Sequence, residues 1–182
     1  MKEHPLNYSL IVLDADGSVR ECVLHSTPEH PMPCHNQKSQ WRVIEGTQGI
    51  LAQYDWTHTF GGIVSNQAGI ALNYTTNEAV EEEFSLLIRA IFPPFAKVAL
   101  RYSPYAPDSS SYARKPSPWM ILDIAREFSC RLDRTLYVGD SIEDKVAASR
   151  AGVEFLWAWQ FFGRPEVGAN MVKAHEVKER EG

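Results

Sequence analysis

The sequence predicts an α/β fold of three layers, with a central parallel sheet covered by helices in the Rossmann-like manner. Short apolar runs alternate with helix-like segments along most of the chain, the pattern of parallel strands joined by crossover helices. Polar and acidic residues stand at or soon after the ends of these runs, where ligands bind in such sheets. A length of 182 residues with 44% hydrophobic residues suits one domain with a full core. We therefore expect a single domain over 1–182, with its core at about 8–162 and a polar tail from about 163 to 182.

Taken in order, residues 9–13 form the first strand, short and apolar on both faces. Residues 18–42 lack clear periodicity and carry Pro28, Pro31 and Pro33, so a long irregular excursion is expected. Ile44, Ile50 and Leu51 indicate a short helix within 43–54, and "FGGIVSN" at 60–66 is the second strand. Thr75 and Glu78 have capping-box spacing ahead of an amphipathic helix through Val80, Phe84, Leu87, Ile88 and Ile91. "KVALRY" at 97–102 follows Pro93 and Pro94 as the third strand. Ser117 and Pro118 suit an N-cap and first turn, opening a helix to about Phe128. "TLYVGD" at 135–140 is the fourth strand, a helix from Ile142 to Ala151 closes at Gly152, and "EFLWAW" at 154–159 is the fifth strand.

Composition excludes more than it selects. The 18 basic and 23 acidic residues leave a formal charge of −5, which argues against broad nucleic-acid binding through charge alone. No apolar stretch approaches the roughly 20 residues needed to span a bilayer. The opening "MKEHPLNY" lacks the apolar region of a signal peptide. Three cysteines, Cys22, Cys34 and Cys130, are too few for a disulfide framework, so the cytosol is the expected compartment. The sequence sets no oligomeric state.

The chemistry concentrates in "LDADGS" at 13–18. Asp14 and Asp16 are acids one residue apart at the end of a buried strand, and Gly17 permits the turn that lets both reach one site. Ser65 and Asn66 follow the second strand, Lys115 follows the third, and Asp140 ends the fourth. Carboxylates gathered in one crevice need a cation, and hard oxygen ligands favour Mg²⁺. A metal there would draw in a phosphate, whose other oxygens Lys115 and the backbone N–H groups around Ser65 could hold. Asp144 reads equally as a further acid of the metal site or as a helix N-terminal carboxylate.

Four segments in order, "DADGS" (14–18), "SNQ" (65–67), "RKP" (114–116) and "VGDSIED" (138–144), resemble the motifs of the haloacid dehalogenase superfamily of phosphotransferases. The resemblance spans about Leu10 to Phe162. "SNQAGIA" and "RKPSPWMI" are similar to the capless branch that includes histidinol-phosphate phosphatases, heptose-bisphosphate phosphatases and polynucleotide 3′-phosphatases. It implies Asp14 as a nucleophile forming an aspartyl-phosphate and Asp16 as the acid/base for the leaving oxygen and for water. It implies Mg²⁺ held by the Asp14 carboxylate, the Asp16 carbonyl and Asp140. Ser65, Asn66 and Arg114 would bind substrate, and Lys115 would offset the charge of Asp14 and the phosphoryl group. The excursions at 18–42 and 102–113 are too short for a separate cap domain.

The expected activity is Mg²⁺-dependent hydrolysis of a phosphate monoester, on a small phosphorylated metabolite. The alternatives are a polynucleotide 3′-phosphatase, served by a basic patch at Arg20, Lys38 and Arg42, or a phosphate-binding protein without turnover. The branch often carries a C-x-H and C-x-C zinc loop before its R-K-P motif. Here Ser103, Tyr105, Ser111 and Ala113 stand in those places, so no structural zinc is expected. His25, His30, Cys34 and His35 match no common zinc spacing and read as loop residues. Trp157, Trp159, Phe161 and Phe162 are assigned to packing.

Overall fold

The computed structural model describes residues 8–23 and 41–166. Its strands are β1 (Leu10–Asp14), β2 (Arg20–Cys22), β3 (Trp41–Val43), β4 (Phe60–Asn66), β5 (Val98–Ser103), β6 (Thr135–Gly139) and β7 (Glu154–Trp157). The helices are α1 (Thr47–Leu51), α2 (Asn77–Ile91), α3 (Trp119–Glu127), α4 (Ile142–Ala151) and α5 (Ala158–Phe161). Five strands form one sheet in the order β5-β4-β1-β6-β7, with every neighbouring pair parallel.

Central β1 has no polar face because both of its faces are covered. Ile11 and Leu13 pack with Leu51, Phe84, Leu87 and Phe161, among the side chains of α1, α2 and α5. Leu10 and Val12 point the other way, into Met120, Ile124 and Ala147 of α3 and α4. These four β1 side chains are fully buried, each worth roughly 1.5–3 kcal/mol relative to exposure. The chain leaves β1 towards β4 and β5, then returns to β6 on the opposite side. That reversal opens a crevice at the carboxyl end of β1.

The register brings the predicted residues to one edge. Asp14 is level with Val64, Val64 with Arg101, and Leu13 with Val138. Side chains from Asp14, Ser65 and the residues after β6 therefore emerge together.

Several local expectations shift. The stretch expected to be irregular contains an antiparallel two-stranded ribbon, with Arg20 opposite Val43 and Cys22 opposite Trp41. His25, His30, Cys34, His35 and Lys38 lie outside the described residues, as does the chain after 166. Helix α2 is capped by Thr76, whose hydroxyl accepts from Ala79 N, and not by Thr75. The Thr75 N–H is already held by the Gly69 carbonyl in the preceding turn. Helix α3 begins at Trp119, with Ser117 Oγ accepting from its N–H. The fifth strand stops at Trp157, where the chain turns into α5 and carries Phe161 onto Tyr54 at 5.9 Å between ring centres. Cys130 is a free thiol. No helix among the described residues is long and apolar enough to cross a membrane.

Candidate active site

Asp14 ends β1 with its side chain only 5% exposed. Its Oδ1 accepts from Lys115 Nζ and its Oδ2 from Ser18 Oγ at 3.0 Å. The same ammonium donates to Asp144 Oδ1 at 2.7 Å. Asp144 is fully buried and also accepts from Tyr137 OH at 2.6 Å and from Ser141 N and Oγ at 3.0 and 2.6 Å. The two readings of Asp144 thus merge. It completes the capping box of α4 with Ser141, and it faces the cluster at the end of β1.

One lysine serves two buried carboxylates, and the titration directions follow. Burial and the neighbouring Asp144 push the Asp14 carboxyl well above its ordinary range, against the pull of Lys115. Burial works the same way on Asp144, but Lys115, Ser141 and Tyr137 hold it below the usual value. For Lys115, burial is outweighed by its two carboxylate partners, which raise it. Asp140 is more exposed, yet its enclosed position and Asp144 push it up to about 6.

Asp14, Asp140 and Asp144 each place one oxygen so that all three lie within 4.8 Å of one another. Three acids against one lysine leave an excess of negative charge, carried entirely by hard oxygen donors. That donor set fits a hard divalent ion such as Mg²⁺. Two glycines make the packing possible. Gly17 has φ +86°, and a Cβ there would lie 1.9 Å from Asp140 Oδ2. At Gly139 a Cβ would lie 2.4 Å from the Asp144 Cβ. Gly17→Ala is expected to cost about 1–3 kcal/mol of stability and to weaken Mg²⁺ binding at the cluster about tenfold. Thermal melting and a calorimetric Mg²⁺ titration check this, and a wild-type binding curve would defeat it.

Asp16 occupies the other side of the crevice, with 57% of its side chain exposed. Arg20 Nε donates to its Oδ1 at 2.7 Å, and Gln67 Nε2 to its Oδ2 at 2.9 Å. Ser65 Oγ reaches the same Oδ2 at 3.3 Å and receives Gln67 Nε2 at 2.7 Å. Enclosure alone would raise the Asp16 carboxyl, but Arg20 holds it below the ordinary range. The Asn66 side chain clamps the Lys115 backbone, donating to its carbonyl at 3.2 Å and accepting from its N–H at 3.0 Å.

Asp14, Asp16, Ser65, Lys115 and Asp140 thus converge as the sequence reading expected. Arg114 does not turn inward in the same way; its guanidinium donates to the Tyr105 carbonyl at 3.0 Å and braces the loop before it. Of the expected basic patch, the two members among the described residues are not free charge either. Arg20 is buried against Asp16 and Glu83, and Arg42 pairs with Glu21 at 2.7 Å. Sequence reasoning missed Gln67, Tyr137, Ser18 and Glu83. Gln67 and Ser18 stood inside quoted motifs, but Tyr137 and Glu83 carry no local signal and are selected only by proximity.

Residues 108–158 match the family model described as haloacid dehalogenase-like hydrolase. The chain is 32% identical over 149 residues to the D-glycero-beta-D-manno-heptose-1,7-bisphosphate 7-phosphatase of Bordetella bronchiseptica, covering 79% of this chain and 76% of that one. It is 33% identical over 144 residues to the protein of the same name from Pseudomonas aeruginosa, with 79% and 76% covered. The crystal structure of D,D-heptose 1.7-bisphosphate phosphatase from B. bronchiseptica, complexed with magnesium and phosphate, is similar with a TM-score of 0.65 at 27% identity. That match covers 81% of this chain and 78% of that one. A parallel sheet that reverses at β1, an acidic cluster at that point and 32% identity over 79% of the chain lead to one conclusion: the chain belongs to the haloacid dehalogenase-like hydrolases, as a phosphoric monoester hydrolase of that family.

Proposed function

We propose that the protein is a Mg²⁺-dependent phosphatase that removes phosphate from a small phosphorylated sugar through an aspartyl-phosphate on Asp14. The observation that carries this reading is the Asp14 carboxylate itself. It is buried at the sheet's switch point, held by Lys115 and Ser18, and flanked by two further acids.

The Asp14 carboxylate, the Asp16 carbonyl and Asp140 would hold the ion, while Asp144 keeps Lys115 aimed at Asp14. When bound, Mg²⁺ supplies charge screening between nucleophile and phosphate and polarises the phosphoryl group. An Asp14 oxygen forms a bond to phosphorus as the ester P–O bond breaks, and the Asp16 carboxyl gives its proton to the leaving oxygen. Water then attacks phosphorus, losing a proton to the Asp16 carboxylate, and the Asp14 O–P bond breaks to release phosphate. The ionised form of Asp16 that Arg20 favours is the form this second half requires. Ser65 and Lys115 would bond phosphoryl oxygens, and we keep Arg114 as a contact to the distal part of the substrate.

The heptose-bisphosphate relatives support a phosphorylated sugar as the substrate class. With Arg20 and Arg42 paired to acids, no observation favours a 3′-phosphorylated nucleic-acid end. The small-metabolite substrate keeps the cytosol as the expected compartment. A phosphate-release panel of sugar phosphates and bisphosphates, with 3′-phosphorylated oligonucleotides alongside, tests the reading. Turnover is expected on the sugars, falling to background in EDTA and returning with Mg²⁺. Asp140→Ala is expected to raise the metal requirement sharply. Full activity in metal-free buffer would overturn the proposal.

A further inference from the structure

Arg20 begins β2, six residues after Asp14, and only 5% of its side chain is exposed. Nε donates to Asp16 Oδ1 at 2.7 Å and Nη2 to Asp16 Oδ2 at 3.3 Å, so the guanidinium grips both carboxylate oxygens. Nη1 donates to Glu83 Oε2 of α2 at 3.3 Å, and Glu83 is itself buried. The guanidinium lies 4.5 Å from the centre of the Phe84 ring and 5.7 Å from that of Trp41. A planar cation packed on two rings and forked onto a carboxylate has very little orientational freedom.

Asp16, by contrast, is more than half exposed at the mouth of the crevice. Its orientation depends on this grip and on the contacts from Gln67 and Ser65. Stability is a poor account of the arrangement. Burying a guanidinium and a glutamate costs desolvation that their attraction only repays in part, and apolar groups between Phe84 and Trp41 would serve as well. Direct substrate binding is a poor account too, since Arg20 is covered and would have to release Asp16 to receive a phosphate.

We infer that Arg20 is a positioning residue for Asp16, locking the plane of its carboxylate on the leaving-group side of the site, with Glu83 tying the fork to α2. The inference rests on the phosphatase reading above, in which Asp16 handles the leaving-group proton. A misdirected carboxylate matters most when the leaving oxygen is strongly basic and needs that proton. It matters least for a good leaving group such as p-nitrophenolate.

The test compares wild type, Arg20→Lys, Arg20→Ala and Glu83→Gln on alkyl phosphates and on aryl phosphates of graded leaving-group pKa, with Mg²⁺ present. Arg20→Lys keeps the charge but cannot fork. It is expected to lower kcat/KM, which reports the phosphoryl transfer to Asp14 and departure of the leaving group, about 10- to 100-fold on alkyl phosphates, with a much smaller loss on p-nitrophenyl phosphate. Glu83→Gln should move in the same direction by less. Millimolar guanidinium should restore part of the alkyl-phosphate rate in Arg20→Ala; if that variant does not fold, Arg20→Lys and Glu83→Gln decide. An equal loss of kcat/KM on every leaving group, or no loss, in a folded Arg20→Lys would overturn the inference while leaving the phosphatase reading intact. Wild-type protein that released phosphate from none of the esters would overturn both.

Discussion

Asp14→Asn is expected to lower turnover at saturating substrate at least about 10⁴-fold while leaving the melting temperature at or above that of wild type. The amide is nearly isosteric with the carboxylate but has no anionic oxygen to attack phosphorus. Its neighbours tolerate the change. The amide oxygen can accept from Lys115 while the NH₂ faces Ser18 Oγ, and a serine hydroxyl accepts as readily as it donates. Lys115 keeps Asp144 as its charge partner. Burial and Asp144 already disfavour the charge on Asp14, so removing that charge relieves repulsion among the buried acids. Phosphate release and thermal melting, measured on one preparation, check both halves. Wild-type turnover in the variant would eliminate Asp14 as nucleophile.

Lys115→Ala should do the reverse to stability and the same to activity. Its ammonium is the shared partner of Asp14 and Asp144, each no more than 5% exposed at the side chain. Truncation leaves two like charges facing each other across a cavity. Breaking a buried ion pair by removing one member typically costs about 3–5 kcal/mol, which for a chain of this size lowers the melting temperature by roughly 6–20 °C. The cause can be isolated with a second change. Asp144→Asn added to Lys115→Ala removes one of the stranded charges, so part of the lost stability should return while activity stays absent. A double variant no more stable than Lys115→Ala would show that cavity formation, rather than charge, sets the loss.

The strands and helices were legible because their signals are local. Both faces of β1 are apolar, so the run ending at Asp14 read as a buried strand without knowledge of its neighbours. Gly152 marked the end of α4 through capping chemistry that involves only adjacent turns, whereas the Ser141 cap came from the structure. At the start of α2 the Thr75 N–H donates to the Gly69 carbonyl of the preceding turn, and Thr76 rather than the expected Thr75 makes the cap. The ribbon of β2 and β3 was not legible, because strands of three residues carry too little periodicity to register.

The site divides along the same line. The sequence alone determined that acids, a serine and a lysine stand after successive strands, and a parallel sheet necessarily carries such positions to one edge. It could not determine which of them touch. Lys115 meets Asp14 across 101 residues and Asp144 across 29, and Asn66 holds the Lys115 backbone across 49. Those pairings depend on the order β5-β4-β1-β6-β7 and on glycines at 17 and 139 that admit close approach. Arg20 shows the difference most clearly. In the sequence it is a surface-type cation four residues from Asp16, and only the packing of Phe84, Trp41 and Glu83 around it makes it a buried fork on that acid. Residue type and local order are written along the chain, whereas burial and partnership are properties of surfaces that exist only once distant segments have met.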